Sequence, residues 1–188
     1  MNTNANVRLS TSVIARLAMM TAISVVLLLI VRIPFPPAPF LVYDPADVPI
    51  YITAFAFGPA AGLAVTFVVC FLQAFVLGGD GLYGFLMHFV ATGIVAVIIG
   101  MLYKKEKTKK RAISALIAGV ILTTILMCIM NLLVTPAYMG APLSTVAAMI
   151  PTVIIPFNLL KAGLNSLLTF LLYKRISMFL HNAGKEQI

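Results

Sequence analysis

Three polar side chains, Asn158, Lys161 and Asn165, stand at i, i+3 and i+7 in the otherwise apolar run PTVIIPFNLLKAGLNSLLTFLLY at 151–173. On a helix this spacing gathers an ammonium group and two carboxamides on one face, where contact with lipid would be costly. Two uses fit such a stripe: a polar site for a small solute, or an interhelical clamp in which Lys161 pairs with Asp44 or Asp47. Asn131 is a fourth candidate, because a carboxamide offers two donors and an acceptor and so matches the alternating amide and carbonyl edge of a heterocycle. A helix cap or an interhelical hydrogen bond is the plainer reading of that residue. Asp47 stands where it can cap free N–H groups or favour the positive end of a helix, and Asp44, beside Tyr43 and Pro45, either faces a cavity or holds a turn. Gln73 and His88 read as bridges between helices before they read as ligand contacts.

Other chemistries find no support. No two-His motif or cysteine spacing suggests a metal site, and no Gly-rich GK[ST] loop is present to cradle a nucleotide. No catalytic residue, metal or cofactor is assigned to the chain.

The elements that must position the stripe follow from composition. The 188 residues are 62% hydrophobic and 10% charged, with a mean hydropathy of +1.09; a soluble domain carries about a quarter charged residues. One integral-membrane domain over 1–188 is expected, with short polar tails at 1–9 and 181–188. The net charge of +8 is concentrated: Lys104, Lys105, Lys107, Lys109, Lys110 and Arg111 fall within eight positions between apolar segments. That cluster reads as a cytosolic loop facing anionic headgroups, not as a nucleic-acid site. Cys70 and Cys128 lie inside apolar segments and read as small buried hydrophobes. The first apolar segment, 12–31, lacks a small-residue cleavage site after it and should remain as a span.

The apolar block at 46–77 would be about 48 Å long as one helix, against a hydrocarbon core of about 30 Å. Phe57-Gly58-Pro59 is a local signal for a break. Splitting the block there also moves the 104–111 cluster to the same side as Arg8, Arg16, Lys174, Arg175 and Lys185, as the positive-inside bias requires. The expectation is an all-α membrane protein, a compact bundle of six transmembrane helices at about 10–32, 46–57, 59–77, 82–103, 109–134 and 151–180, with both termini cytosolic. Segments 33–45, 78–81 and 135–150 then face outside. The first holds five prolines, at 34, 36, 37, 39 and 45, with Phe35, Phe40 and Tyr43 among them. It is semi-rigid, and suits either an aromatic cap over a cavity or a loop dipping into the interface. The second is a tight GGDG turn in which Asp80 reads as a turn residue, and the third, with Pro136, Tyr138, Gly140 and Pro142, suits the outer mouth. Lys161 lies thirteen residues before Lys174, about 20 Å along a helix, which puts it in the outer half of the membrane. On the first helix Ala15, Ala18 and Ala22 form a small-residue face suited to internal packing or to docking another protein.

Taken together, the Ala-rich first helix, YDPADVPIYITAFAFGPAAG at 43–62, Asn131 before the Pro136/Tyr138 segment, and IPFNLLKAGLNSLL at 155–168 make the chain resemble the riboflavin-specific substrate-binding component of energy-coupling-factor vitamin transporters. The resemblance covers nearly the whole chain. It implies six helices in a prokaryotic cell membrane, high-affinity capture of riboflavin from the outer face as transported substrate, and partnership with a shared transmembrane coupling subunit and two cytosolic ATPase subunits. It further implies that Asn131, Asn158, Lys161 and Asn165 surround the flavin, that Phe40, Leu41 and Tyr43 belong to the loop that encloses it, with Asp44 a further carry-over, and that Ala15, Ala18 and Ala22 face the coupling subunit. The residues themselves leave open an ion-coupled secondary carrier, with Lys161 and Asp44 or Asp47 as its charge-responsive element, and a noncatalytic membrane assembly protein.

Overall fold

The computed structural model describes residues 10–78 and 81–182. Arg8, Asp80 and Lys185, to which the sequence assigns roles, lie outside the described residues, as does part of the GGDG turn. Helix α1 spans Thr11–Ile30, α2 Asp47–Phe57, α3 Pro59–Phe71, α4 Gly81–Lys105, α5 Lys109–Met139, α6 Leu143–Met149 and α7 Ile155–Asn182. The apolar blocks become helices because bilayer-buried backbone must satisfy its own hydrogen bonds. Among the described residues five helical segments are long and apolar enough to cross a membrane; α2, with 11 residues, is shorter. The chain is thus a multi-pass membrane protein whose α2 contributes to the bundle without the length of an upright crossing.

The predicted break at 58 is present. Gly58 has φ of +93°, a conformation that strains any residue with a Cβ, and Pro59 opens α3 at a position where its missing N–H removes no helical bond. At that junction α4 packs so closely that a Cβ on Gly100 would lie 3.0 Å from Pro59 Cα. Around it lies the main core, in which Phe55 stacks on Tyr103 with centroids 4.4 Å apart and meets Tyr173 edge-on at 5.6 Å. This close-packed end also carries the 104–111 turn, where Thr108 caps α5 and the exposed Glu106 accepts a hydrogen bond from Arg111 at 3.0 Å. The guanidinium hydrogen bond holds the Glu106 carboxyl below its ordinary value.

Three expectations are corrected. The proline-rich loop is a β-hairpin, β1 (Ile33–Phe35) against β2 (Ala38–Tyr43), with Ile33 opposite Tyr43 and Pro34 opposite Val42. The all-α description therefore gains a small two-stranded element, in which an isolated pair has no inner ladder for the prolines to interrupt. The segment 135–150 is not a loop: α5 continues through Pro136 to Met139, ends on a left-handed Gly140, and α6 follows at once. Pro136 removes only the bond to the carbonyl of Leu132, and the flanking turns carry the helix past it. Finally, α7 runs to Asn182, into the tail expected from 181.

Two turns are π-helical, Leu72–Val76 continuing α3 and Ile150–Ile154 leading into α7. Such turns widen the helix by one residue and re-aim the side chains that follow. Both lie at the hairpin end of the bundle.

Candidate functional site

At the hairpin end the helices diverge around a cavity. Its polar wall is Asn158 and Lys161 of α7, Asn131 and Thr135 of α5, His88 and Thr92 of α4, and Gln73 from the first π turn. Phe40, Leu41 and Val42 of β2 close one side, and Asp44 and Asp47 stand where the hairpin hands over to α2. Met87, Met127 and Phe157 supply apolar surface, with Arg32, Tyr83 and Tyr138 at the ends of their elements. Apolar walls with a few convergent polar groups are the general character of small-molecule sites.

The opening stripe divides in its work. Lys161 Nζ donates to Asp44 Oδ2 at 2.7 Å and to the Val42 carbonyl at 3.3 Å. Both members of this ion pair are largely buried, so removing either leaves an uncompensated charge at a cost of about 3–5 kcal/mol. The clamp and the cavity wall are therefore the same lysine: it ties the hairpin to α7 and lines the space between them. Asn165, one turn further along α7, is fully buried and is not part of the lining. Its Nδ2 donates to the Asp44 carbonyl and to Asp47 Oδ2, each at 3.1 Å, which fixes the two acidic residues from behind. Among the described residues its Oδ1 is buried without a hydrogen-bond partner.

Asn158 and Asn131 are held by their own helices. Asn158 Nδ2 donates to the Ile154 carbonyl at 2.8 Å; Asn131 Nδ2 donates to Met127 O at 2.8 Å, and Asn131 Oδ1 accepts from Thr135 at 2.9 Å. Each carboxamide keeps a second N–H, and Asn158 keeps its carbonyl oxygen as well, so a preset donor and acceptor remain for a ligand edge. Asp44 both faces the cavity and holds a turn, Oδ1 accepting from the Ala46 N–H at 3.1 Å. Asp47 sits in the first turn of α2 without capping it, and its Oδ1 accepts from Thr92 at 3.4 Å.

Of the residues expected around a ligand, Asn131, Asn158, Lys161, Phe40, Leu41 and Asp44 meet at one cavity. Tyr43 and Asn165 do not line it; Tyr43 is half-buried in the hairpin opposite Ile33. Gln73 and His88, read first as helix bridges, do line it, and Thr92, Thr123, Thr135 and Arg32 join them unanticipated. The threonines gave no signal because a hydroxyl is ordinary in a membrane span, where it can bond to its own helix. Gln73 depends on a π turn that no residue pattern announces. Among the described residues no group of three or more His, Cys, Asp or Glu could hold a metal ion. Cys70 and Cys128 are free thiols inside helices.

Outside the cavity, Ala15, Ala18 and Ala22 are exposed on α1, while Met20, Ser24 and Leu28 face the bundle. The small-residue face is thus turned away from internal packing.

Comparison with known proteins bears on the same architecture. Residues 12–173 match the family model described as "ECF transporter, substrate-specific component". The chain is 35% identical over 171 residues to "Riboflavin transporter RibU" of Staphylococcus aureus (strain TCH60), covering 87% of this chain and 89% of that protein. It is 30% identical over 181 residues to "Riboflavin transporter FmnP" of Bacillus subtilis (strain 168), covering 91% and 95%. A solved structure described as "Structure and mechanism of the S component of a bacterial ECF transporter" superposes with a TM-score of 0.76 at 33% identity, over 89% of this chain and 96% of that one.

Proposed function

The chain belongs to the family of substrate-specific components of ECF transporters, and from that premise we propose that it captures riboflavin in the cavity at its hairpin end. As such a component it is a substrate-binding membrane subunit and not an ATPase. The relatives named as riboflavin transporters support the ligand. The observation that carries the site is the convergence of Asn131, Asn158 and Lys161, from two helices far apart in sequence, on one cavity walled by Phe40, Leu41 and Phe157.

In this reading the planar ring system lies against the apolar and aromatic walls, and its carbonyl and ring-nitrogen edge takes up the hydrogen-bonding capacity left on Asn131, Asn158 and Lys161. Asn165 works at one remove, holding Asp44 and Asp47 in position. Specificity follows from that edge, since an apolar analogue of the same size would leave buried polar groups unpaired. Leu41 and Ala38 of the hairpin rest on Phe157, so the hairpin serves as the cap.

Both termini and the 104–111 turn face the cytosol, the hairpin end faces outward, and the membrane is the prokaryotic cell membrane; the segregation of Lys and Arg supports that orientation. Riboflavin is transported substrate, released inward when the component works with a shared transmembrane coupling subunit and two ATPase subunits. Ala15, Ala18 and Ala22 are the coupling face, an assignment supported by their exposure on α1.

The test is an absorption spectrum of the purified protein followed by extraction and identification of what it holds. A yellow protein that releases riboflavin is expected. A colourless protein that fails to quench the fluorescence of added riboflavin would overturn the ligand.

A further inference from the structure

The basic residues at the junction of α4 and α5 take no part in the cavity, and a second basic pair stands beside them. Helix α4 ends in Tyr103-Lys104-Lys105, and α7 carries Tyr173-Lys174-Arg175. Two helices far apart in sequence thus bear the same triplet, a tyrosine followed by two cations. The fold brings the triplets together. Tyr103 and Tyr173 are both buried and meet edge-on with ring centroids 5.9 Å apart. Each also packs on Phe55, at 4.4 Å and 5.6 Å.

The four cations that follow these rings are exposed, and among the described residues none of them makes an ion pair. Arg111, across the turn, is by contrast matched by Glu106 at 3.0 Å. The bias that sets membrane topology counts basic residues anywhere in a short loop and asks for no such arrangement. Like charges gathered on a rigid base repel one another, and an anion held among them removes that repulsion.

Position decides the kind of anion. Only residues 106–108 separate α4 from α5, so the cations stand at the ends of the spans and not on a projecting loop. One helical turn back from each basic pair, on the same face, an apolar side chain is exposed: Met101 on α4 and Leu171 on α7. Each helix therefore shows apolar surface beneath a cationic head, the profile of a phospholipid read from tail to headgroup. An acidic protein would meet the charges alone, without the apolar surface beneath them.

We propose that this end of the bundle binds an anionic phospholipid with two phosphates, held by the Lys104/Lys105 and Lys174/Arg175 pairs. Two cationic pairs set side by side match two phosphates joined by a short linker, whereas a single phosphate engages one pair. The site is separate from the cavity and does not depend on what the cavity holds.

The experiment places purified full-length protein in bilayer discs of phosphatidylcholine that contain either cardiolipin or phosphatidylglycerol at equal anionic charge. Lipids that stay bound are counted by native mass spectrometry. The wild type should retain cardiolipin about tenfold better than phosphatidylglycerol, and raising salt should narrow that preference. Combining Lys104→Gln, Lys105→Gln, Lys174→Gln and Arg175→Gln should abolish the preference, and combining Lys104→Arg, Lys105→Arg and Lys174→Arg should keep it. Lys107→Gln with Lys109→Gln and Lys110→Gln removes charge from the same turn and should leave the preference largely intact. A wild type that holds phosphatidylglycerol or phosphatidylcholine as well as cardiolipin overturns the proposal. So does a preference that survives the loss of both basic pairs, or one that falls equally in the Lys107, Lys109 and Lys110 variant.

Discussion

The two ends of the bundle are built on different principles. At the end carrying the 104–111 turn, close contact is made by removing side chains and stacking rings: Gly100 against Pro59, Gly62 against Ala54, and Phe55 between Tyr103 and Tyr173. At the hairpin end the apolar cluster is small, Ala38, Leu41 and Phe157 with Phe35, Tyr43 and Val153 packed on it. Attachment there is largely polar, through Lys161 to Val42 and Asp44, and through Asn165 to Asp44. A packed core tolerates little displacement, because its stability depends on every van der Waals contact being kept. A cap held by a few directional bonds can be exchanged for a ligand that offers equivalent bonds. One end is a frame, and the other is a cap held by a few directional bonds.

The largest expected effect breaks the polar end. Asn158→Leu removes a carboxamide that holds no part of the hairpin, whereas Lys161→Ala removes both a proposed ligand contact and the cap's ion pair. Riboflavin affinity should fall by about a hundredfold in each, reflecting the loss of hydrogen bonds in a desolvated site. Only Lys161→Ala should also lower the melting temperature of the ligand-free protein. Isothermal titration beside a thermal unfolding curve separates the two, and full affinity in both variants would reject the site.

Next in size is a change that touches neither end. Ala18→Leu with Ala22→Leu enlarges the exposed face of α1 without entering the core. Riboflavin uptake by cells carrying the partner subunits should drop about tenfold or more, since close helix approach depends on small residues. Binding to the purified protein should not change. Normal uptake would remove this face from the coupling interface.

The frame answers a third substitution. Gly100→Ala places a Cβ 3.0 Å from Pro59 Cα and 3.3 Å from the Ala54 carbonyl, backbone atoms that cannot rotate away. Overpacking of this kind costs about 1–3 kcal/mol and should lower the melting temperature by about 3–10 °C. The preference for riboflavin over apolar analogues should persist if, as proposed, specificity resides at the other end. A loss of that preference would mean that the two ends are not separable.

The same division decides what could be read from sequence. The frame was legible: the break at Gly58, the apolar blocks and the clustered charges follow from local residue types, and each appears in the structure. The polar stripe on α7 was legible as an anomaly, and its Lys161 both makes the interhelical clamp and lines the cavity. What escaped is non-local. The pairing of Ile33 with Tyr43 depends on strand register across a turn, Gln73 on a π turn, and the division of labour between Asn158 and Asn165 on where the Asp44 carbonyl lies. Pro136 misled for the opposite reason, since a local signal for a helix end was overridden by helix on both sides of it.

The smallest expected effect probes the hinge between the two regimes. Phe35 of β1 meets Phe157 of α7 with ring centroids 5.4 Å apart, and Phe157 neighbours Asn158, so one side chain lies between the cap and the polar wall of the cavity. Phe35→Ala leaves every polar attachment of the hairpin in place and removes a ring pair worth about 0.5–1.5 kcal/mol beyond its buried area. If the hairpin closes over bound riboflavin, that loss falls on the closed state and appears as faster escape. The dissociation rate should rise about threefold to tenfold with the association rate nearly constant. Stopped-flow displacement of bound riboflavin measures both. A slower association at unchanged dissociation would instead make the hairpin a fixed part of the entrance, no more mobile than the frame beneath it.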